Sequence, residues 1–234
     1  RQLIKKINPT HIIDLLGQGM VAPSWEDPRL WYRVNLSEKS FILEEVRKLD
    51  SLEKYVRAGT PEVYGSNDSM IKETSCFNPS TPYAVSHSAI DYHIRCLGKQ
   101  FEFPFSIGRF ANFYGEGQQL YRIIPKVIIC CLSKNRFTLD GKGLSTRSFI
   151  YSDDIFSAME LLLFKAECFT EYNFSGTEHI SILELVKYIC EKCSTDFNQI
   201  ISFGPERMGK DKNYRLNCSK AKKELNWSPR FTLS

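Results

Sequence analysis

The 234-residue sequence lacks any run of roughly 18 apolar residues, the length that a membrane-spanning helix requires. Its opening residues also lack an apolar segment followed by a small-residue cleavage site. The net charge is only +4 and the lysines and arginines are dispersed, which does not favour a nucleic-acid-binding surface. We therefore expect a cytoplasmic protein without a membrane or nucleic-acid partner, and an anionic small ligand fits the charge better.

The eight cysteines lack the paired spacing of a disulfide framework. Cys190 and Cys193 form a C-x-x-C pair with no second pair and no histidine at zinc spacing. Both would lie on one face of an apolar helix, which favours core packing over a metal or redox site. His11, His93 and His179 do not cluster with acidic residues or cysteines. We expect reduced thiols and no metal.

Apolar spacing along the chain predicts strands that alternate with helices, which favours an α/β fold with a parallel sheet. One long helix is predicted over residues 28–49, with Asp27 and Pro28 as its N-cap and first residue. A second is predicted over residues 83–101. The polar, proline-rich segment between the strand at residues 52–59 and the second helix has a length that usually carries function.

Eight segments follow one another along the chain: TPEVYG, NPSTPYAVSHSAIDYH, GRFANFYGEGQ, IPKVI, TRSFIYSDDI, YNFSG, GPERMGK and SKAKKELNW. Their order and spacing resemble the extended short-chain dehydrogenase/reductase family, specifically its NAD-dependent nucleotide-sugar 4,6-dehydratases, epimerases and decarboxylases. The resemblance implies a Rossmann-like, doubly wound parallel sheet with a smaller α/β substrate-binding domain. The family's glycine-rich turn lies before anything in this chain, so we expect roughly 60 further N-terminal residues in the natural protein.

The same resemblance implies a division of the chain and an assembly. Residues 1–113 match the remainder of the NAD-binding domain, and residues 114–234 match mainly the substrate-binding domain, with residues 147–176 returning to the first. The helices 28–49 and 83–101 resemble those of the family's four-helix dimer interface. We therefore predict a homodimer.

Four residues match catalytic positions of the family. Tyr83 matches the tyrosine that takes the proton from the sugar 4-hydroxyl while C4 passes hydride to NAD, and Thr60 matches the hydroxyl that hydrogen-bonds the same oxygen. Glu62 matches the carboxylate that removes the C5 proton in the 4,6-dehydratases. A tyrosine titrates near ~10 and needs an adjacent cation to act near neutrality. The family's lysine is replaced by His87, mostly neutral at pH 7, so we predict impaired hydride chemistry.

The position between Thr60 and Glu62 leaves several functions open. Pro61 stands where the best-known dehydratases have an aspartic acid that helps to protonate the leaving hydroxyl, and proline has no proton to give. Glu62 nevertheless favours a 4,6-dehydratase or a decarboxylase over a 4-epimerase. A non-catalytic protein that binds sugar nucleotides is the alternative from another class.

The resemblance also implies binding residues. Asn112 matches the residue that holds the sugar or its phosphate, and Arg147 and Arg207 match arginines that clamp the diphosphate, a task suited to the guanidinium fork. A surface salt bridge is the alternative for each arginine.

On the cofactor side, Gly17, Gln18 and Asn35 match residues that line the NAD cleft, together with Tyr83 and His87. A purely structural role is the alternative for the strand before Gly17 and for Asn35.

Overall fold

The computed structural model describes residues 2–67, 69–74, 76–206 and 213–233. The strands are β1 (His11–Asp14), β2 (Lys54–Gly59), β3 (Met70–Ile71), β4 (Phe105–Phe110), β5 (Asn112–Tyr114), β6 (Phe137–Asp140), β7 (Thr146–Tyr151), β8 (Thr170–Phe174), β9 (His179–Ser181), β10 (Ile201–Gly204) and β11 (Arg215–Leu216). The α-helices are α1 (Gln2–Ile7), α2 (Pro28–Tyr32), α3 (Lys39–Val46), α4 (Pro82–Phe101), α5 (Ile123–Ser133), α6 (Ser152–Phe164), α7 (Ile182–Lys192), α8 (Phe197–Ile200) and α9 (Ser219–Leu225).

The largest sheet has the strand order β1-β2-β4-β8, and all of its pairs are parallel. Alternate residues of β2 point to opposite faces. Tyr55 packs with α3 and α4 on one face, whereas Val56 packs with α6 and α9 on the other. Helices therefore cover both faces of a parallel sheet, which confirms the predicted doubly wound α/β fold.

The first long helix begins as predicted, because the Asp27 side chain accepts a hydrogen bond from the Arg29 amide and Pro28 is the first residue. Its course differs from the prediction for residues 28–49. A π-helical segment, Arg33–Glu38, separates α2 from α3, and the helix ends at Val46. Beyond Val46 the backbone closes a turn that leads towards β2. Residue spacing alone does not reveal such a widened turn.

The second long helix, α4, begins one residue earlier than predicted. Thr81 caps it, because the Thr81 side chain accepts a hydrogen bond from the Ala84 amide. It ends at Glu102, whose φ of 54° places it in the left-handed region that stops a helix. The cap holds Tyr83 in the first turn, beside the ends of the parallel strands.

The later part of the chain builds a second core. Strands β6 and β10 pair in parallel, and α5 packs against α7. The core between them contains Val127, Cys131, Leu185 and Cys190, and all cysteines are free thiols. Core packing of the Cys190 thiol is therefore confirmed. Within the described ranges, no helix has the length and apolarity needed to cross a membrane.

Candidate active site

A cavity of about 340 Å³ lies beside the residues that directly follow β2 and β4. Thr60 and Glu62 line it after β2, Asn112 lines it after β4, and Arg147 reaches it from β7. Ligands of open parallel sheets bind beyond the carboxyl ends of the strands. The structure thus brings four of the predicted residues to one cavity at the expected edge of the sheet.

Thr60 follows β2 and caps a short 3-10 helix, Pro61–Tyr64. Its side-chain oxygen accepts a hydrogen bond from the Glu62 amide at 3.3 Å, and the Thr60 hydroxyl lies near enough to Tyr83 to lower the pKa of the phenol. Pro61 fits as the first residue of the turn, where no backbone donor is needed. The turn therefore directs a hydroxyl and a carboxylate towards the same phenol.

The Tyr83 hydroxyl is held as a neutral phenol. Burial raises its pKa to about 12, and the negative charge of Glu62 acts in the same direction. The Thr60 hydroxyl and the guanidinium groups of Arg122 and Arg57 oppose the rise without cancelling it. Proton removal from a substrate near pH 7 therefore requires further positive charge at the site.

His87 lies one helical turn after Tyr83, with ring centroids 4.5 Å apart. Its Nδ1 is 2.9 Å from Nη2 of Arg57, and its side chain is buried. Burial and the Arg57 charge lower the pKa of His87 to about 3. This confirms that His87 is neutral at pH 7, and it places the nearest cation on Arg57, a residue that the sequence motifs did not single out.

The predicted cofactor residues lie close together, and two of them, Gln18 and Asn35, are hydrogen-bonded to each other. Nδ2 of buried Asn35 donates to the Gln18 carbonyl at 3.1 Å, and the Gln18 amide donates to Oδ1 of Asn35 at 2.6 Å. Asn35 also donates to the Ser86 hydroxyl at 3.0 Å, one residue before His87. A Cβ atom at Gly17 would lie 3.6 Å from the His87 ring, so this backbone meets the imidazole at van der Waals distance.

This group has the chemistry of a dinucleotide cleft. Asn35 fixes the backbone that follows β1, and α4 adds the phenol of Tyr83 and the imidazole of His87 beside it. Hydroxyl and ring nitrogen are donors that suit the hydroxyls of a ribose. The residues present therefore fit the nicotinamide-ribose end of NAD.

Beneath the site, charged side chains are buried. Arg57 Nε donates to Oδ1 of Asp91 at 2.7 Å, and Nη2 of Arg109 donates to Oδ2 of the same carboxylate at 2.7 Å. All three side chains have 0% exposure. Burial alone would raise the pKa of Asp91, but the two guanidinium groups outweigh it and hold the pKa below its ordinary value.

The network extends in both directions from this pair of arginines. Arg109 also donates to Oε2 of Glu171 at 2.7 Å. On the other side, Asp14 lies 3.8 Å from Arg57 and accepts hydrogen bonds from Lys39 at 2.7 Å and from the Tyr55 hydroxyl at 2.5 Å. A continuous chain of ion pairs thus crosses the sheet under the predicted cofactor cleft.

On the substrate side, Arg147 is 9% exposed, and its guanidinium lies 4.8 Å from the centroid of the Tyr214 ring. The Tyr214 hydroxyl donates to Oδ1 of Asn112 at 2.5 Å. These contacts join the two predicted binding residues through one tyrosine. Arg207 lies outside the described residues.

Sequence reasoning missed Arg122, which lines the cavity and lowers the pKa of Tyr83. The available signal was a basic residue directly before the apolar helix IIPKVIICC. It also missed Arg57 and Arg109, whose signal was a charged residue inside an otherwise apolar strand. Neither signal shows which side chain the arginine contacts in the fold.

Three comparisons place this geometry among known proteins. The family model described as GDP-mannose 4,6 dehydratase matches residues 1–234. The chain belongs to this family. The predicted resemblance to nucleotide-sugar dehydratases and epimerases is therefore confirmed.

Individual relatives agree with the family. The chain is 34% identical over 190 residues to a dTDP-D-glucose 4,6-dehydratase of Dictyostelium discoideum, covering 76% of this chain and 44% of that protein, so it spans less than half of that relative's length. It resembles a dTDP-glucose 4,6-dehydratase structure from Bacillus anthracis in complex with NAD, with a TM-score of 0.88, 26% identity and coverage of 99% of this chain and 71% of the other. A UDP-glucose 4-epimerase from Thermus thermophilus, complexed with NAD, gives a TM-score of 0.92 at 24% identity, with coverage of 99% and 76%, and shows the shared fold.

Proposed function

We propose that the chain carries the active site of an NAD-dependent nucleotide-sugar 4,6-dehydratase. The observation that carries the proposal is the convergence of Thr60 and Glu62 on the cavity that Asn112 and Arg147 also line, with both residues close enough to Tyr83 to influence the pKa of its hydroxyl. A hydroxyl, a carboxylate and a phenol next to a guanidinium suit a hexose that bears a diphosphate.

In this proposal each side chain has a separate task. Once further positive charge at the site has lowered its pKa, Tyr83 accepts the proton of the sugar 4-hydroxyl, and Thr60 holds the same oxygen. Glu62 then removes the C5 proton, which a ketone at C4 makes acidic, and passes that proton to the C6 hydroxyl, so that water leaves across C5 and C6. C5 takes up a proton from solvent when the hydride returns to C6. Arg147 and Asn112, with Arg207 as the third predicted binding residue, hold the nucleotide diphosphate and the sugar. NAD, when bound, supplies the hydride acceptor at C4 and returns the hydride to C6.

The test is to incubate the natural protein with NAD and a panel of nucleotide sugars and to analyse both the sugar and the cofactor. We expect a 4-keto-6-deoxy product. Glu62→Gln should still oxidise C4, so reduced cofactor accumulates while elimination falls by roughly 10²–10⁴-fold. Tyr83→Phe should abolish both steps.

Matched controls separate these effects from general damage. Glu116→Gln makes the same change on an exposed side chain that does not line the cavity, and Tyr92→Phe makes the same change on an exposed face of α4. Both should retain the product. Nucleotide-diphosphate binding without any cofactor reduction by the natural protein would reject the enzyme and support the non-catalytic alternative.

A 4-epimerase is the second candidate, because Pro61 lines the cavity and cannot protonate a leaving hydroxyl. An epimerised sugar, with no loss when Glu62 is replaced by Gln, would select this candidate. Release of carbon dioxide from a nucleotide-linked uronic acid would select a decarboxylase instead.

The division into domains is part of the proposal. Residues 1–113 and 147–176 would form the cofactor-binding part and the rest of residues 114–234 the substrate-binding part. The pairing of β8 with β4 and the packing of α6 on the same sheet support the return of the later segment.

A homodimer is also proposed, through the helices predicted at 28–49 and 83–101. Apolar side chains are exposed on both helices: Leu30 (44%), Phe41 (51%), Val85 (40%) and Tyr92 (44%). Light scattering at micromolar concentration should give twice the protomer mass. A protomer mass alone would reject the dimer.

A further inference from the structure

His87 can carry its proton on only one nitrogen in this structure. Nη2 of Arg57 lies 2.9 Å from Nδ1, and a guanidinium is a donor with no acceptor atom. Nδ1 must therefore accept, which leaves the proton of the neutral ring on Nε2. That side of the ring faces the Gly17 backbone, 3.9 Å from the position of a Cβ there.

The orientation of the Arg57 side chain is itself fixed by its neighbours. Its Nε donates to Asp91 at 2.7 Å, its Nη1 lies 3.8 Å from Asp14, and its side chain has 0% exposure. Asp91 is fixed from its other oxygen by Arg109, and Asp14 by Lys39. Asp91 therefore fixes the guanidinium through a hydrogen bond to Nε, whereas Nη1 forms an ion pair with Asp14 but no hydrogen bond.

We propose that Arg57 is a positioning residue that fixes His87 as an Nε2–H donor, and that the Arg57–His87 pair replaces the single lysine of the family. In this division His87 provides the hydrogen bond towards the cofactor cleft, and Arg57 provides, from one layer deeper, a positive charge that counters part of the effect of burial on Tyr83. The role of the pair in turnover rests on the proposed function, whereas the position of the proton does not.

The charges around His87 agree with this assignment. Arg57 faces it from β2, Lys39 from α3, and Asp91 from α4, while Tyr83 stacks against it and Gly17 closes the side after β1. Burial is the largest influence and disfavours the charged imidazole, followed by Arg57. Asp91 acts in the opposite direction but is already paired with both arginines.

The direct test is nitrogen-15 NMR of histidine-labelled protein without cofactor, with the His87 signals assigned by their loss in His87→Gln. We expect one tautomer, protonated on Nε2, with no titration between about pH 5 and about pH 8. Arg57→Lys retains a donor without an acceptor and should preserve that tautomer. Arg57→Met removes the donor and should allow both tautomers.

A proton on Nδ1, or titration of His87 near pH 6.5 in the unmodified protein, would overturn the proposal. The unmodified protein decides this even if Arg57→Met does not fold. Unchanged spectra in a folded Arg57→Met variant would also overturn it.

A double-mutant cycle tests the replacement of the lysine. His87→Lys alone places a second cation against a fixed guanidinium, so turnover should not rise and stability should fall. Arg57→Met combined with His87→Lys restores the net buried charge and should exceed either single variant by roughly tenfold. A tenfold gain from His87→Lys alone, without loss of stability, would reject the pairing. If no variant turns over any sugar nucleotide, the proposed function fails while the tautomer result stands.

Discussion

The two cores of the molecule bury different kinds of side chain. The core under β1, β2 and β4 buries Asp14, Lys39, Arg57, Asp91 and Arg109, whereas the core between α5 and α7 buries aliphatic side chains and thiols. The stabilisation that aliphatic packing provides does not depend on the relative orientation of the side chains in contact. Buried ion pairs contribute less net stability, but removing one partner is strongly destabilising because the other charge is left buried and unpaired. The difference teaches that the core under the four-stranded sheet adds fixed charges to its aliphatic packing, whereas the core between α5 and α7 relies on packing alone.

Replacing Asp91 with Asn should give the largest effect. Asp91 accepts from Arg57 and from Arg109 at 2.7 Å each, and the amide would leave two buried guanidinium groups without their shared charge. Breaking one member of a buried ion-pair network costs about 3–5 kcal/mol of unfolding free energy. Urea unfolding measures it. A loss below about 1 kcal/mol would mean that the network is stabilised by something other than Asp91.

Cys190→Ala is the matched change in the other core. The Cys190 side chain is 1% exposed and lies 3.9 Å from the sulfur of Cys131. Removing one buried atom of this size should cost about 1 kcal/mol, with no dependence on the charge state of any neighbour. Equal losses for the two variants would erase the contrast between the cores.

The pH dependence of stability should show a smaller effect from His87, to which His179 adds in the same direction because burial also lowers its pKa. Its pKa is about 3 in the folded chain against 6.5 for the free side chain, so the unfolded state binds more protons between these values. Stability must then fall as pH falls below about 6.5, by about 2 kcal/mol at pH 5.

His87→Gln should flatten that part of the curve. The buried carboxylates do not interfere there, because the pKa of Asp14 and of Asp91 is lowered from 3.8 and their contribution is lost only at more acidic pH. Chemical unfolding at a series of pH values compares the slopes. Parallel curves for the two proteins would show that His87 is protonated in the folded state.

Much of this architecture is readable from the sequence. Period and capping residues predict α4 and the helix that begins at Pro28, and the resemblance to the family implies a shared site for Thr60, Glu62 and Tyr83. The Arg57–His87 contact is not readable, because it joins residues 30 positions apart and a single sequence gives no sign of which strand face meets which helix. An arginine within KYVRAG is equally compatible with an exposed edge strand.

The π-helical segment Arg33–Glu38 sets the number of residues, and so the rotation about the helix axis, between two residues of the site. Asn35 lies within it, bonded to Gln18, and Lys39 follows directly, bonded to Asp14. Deleting one residue such as Ser37 would convert the segment into regular α-helix. The residues on one side of the deletion would then rotate by about 100° about the helix axis relative to the residues on the other side. Asn35 and Lys39 could then no longer reach both targets, so deleting one residue that makes no side-chain contact would separate the predicted cofactor residues from the buried ion pairs beneath them.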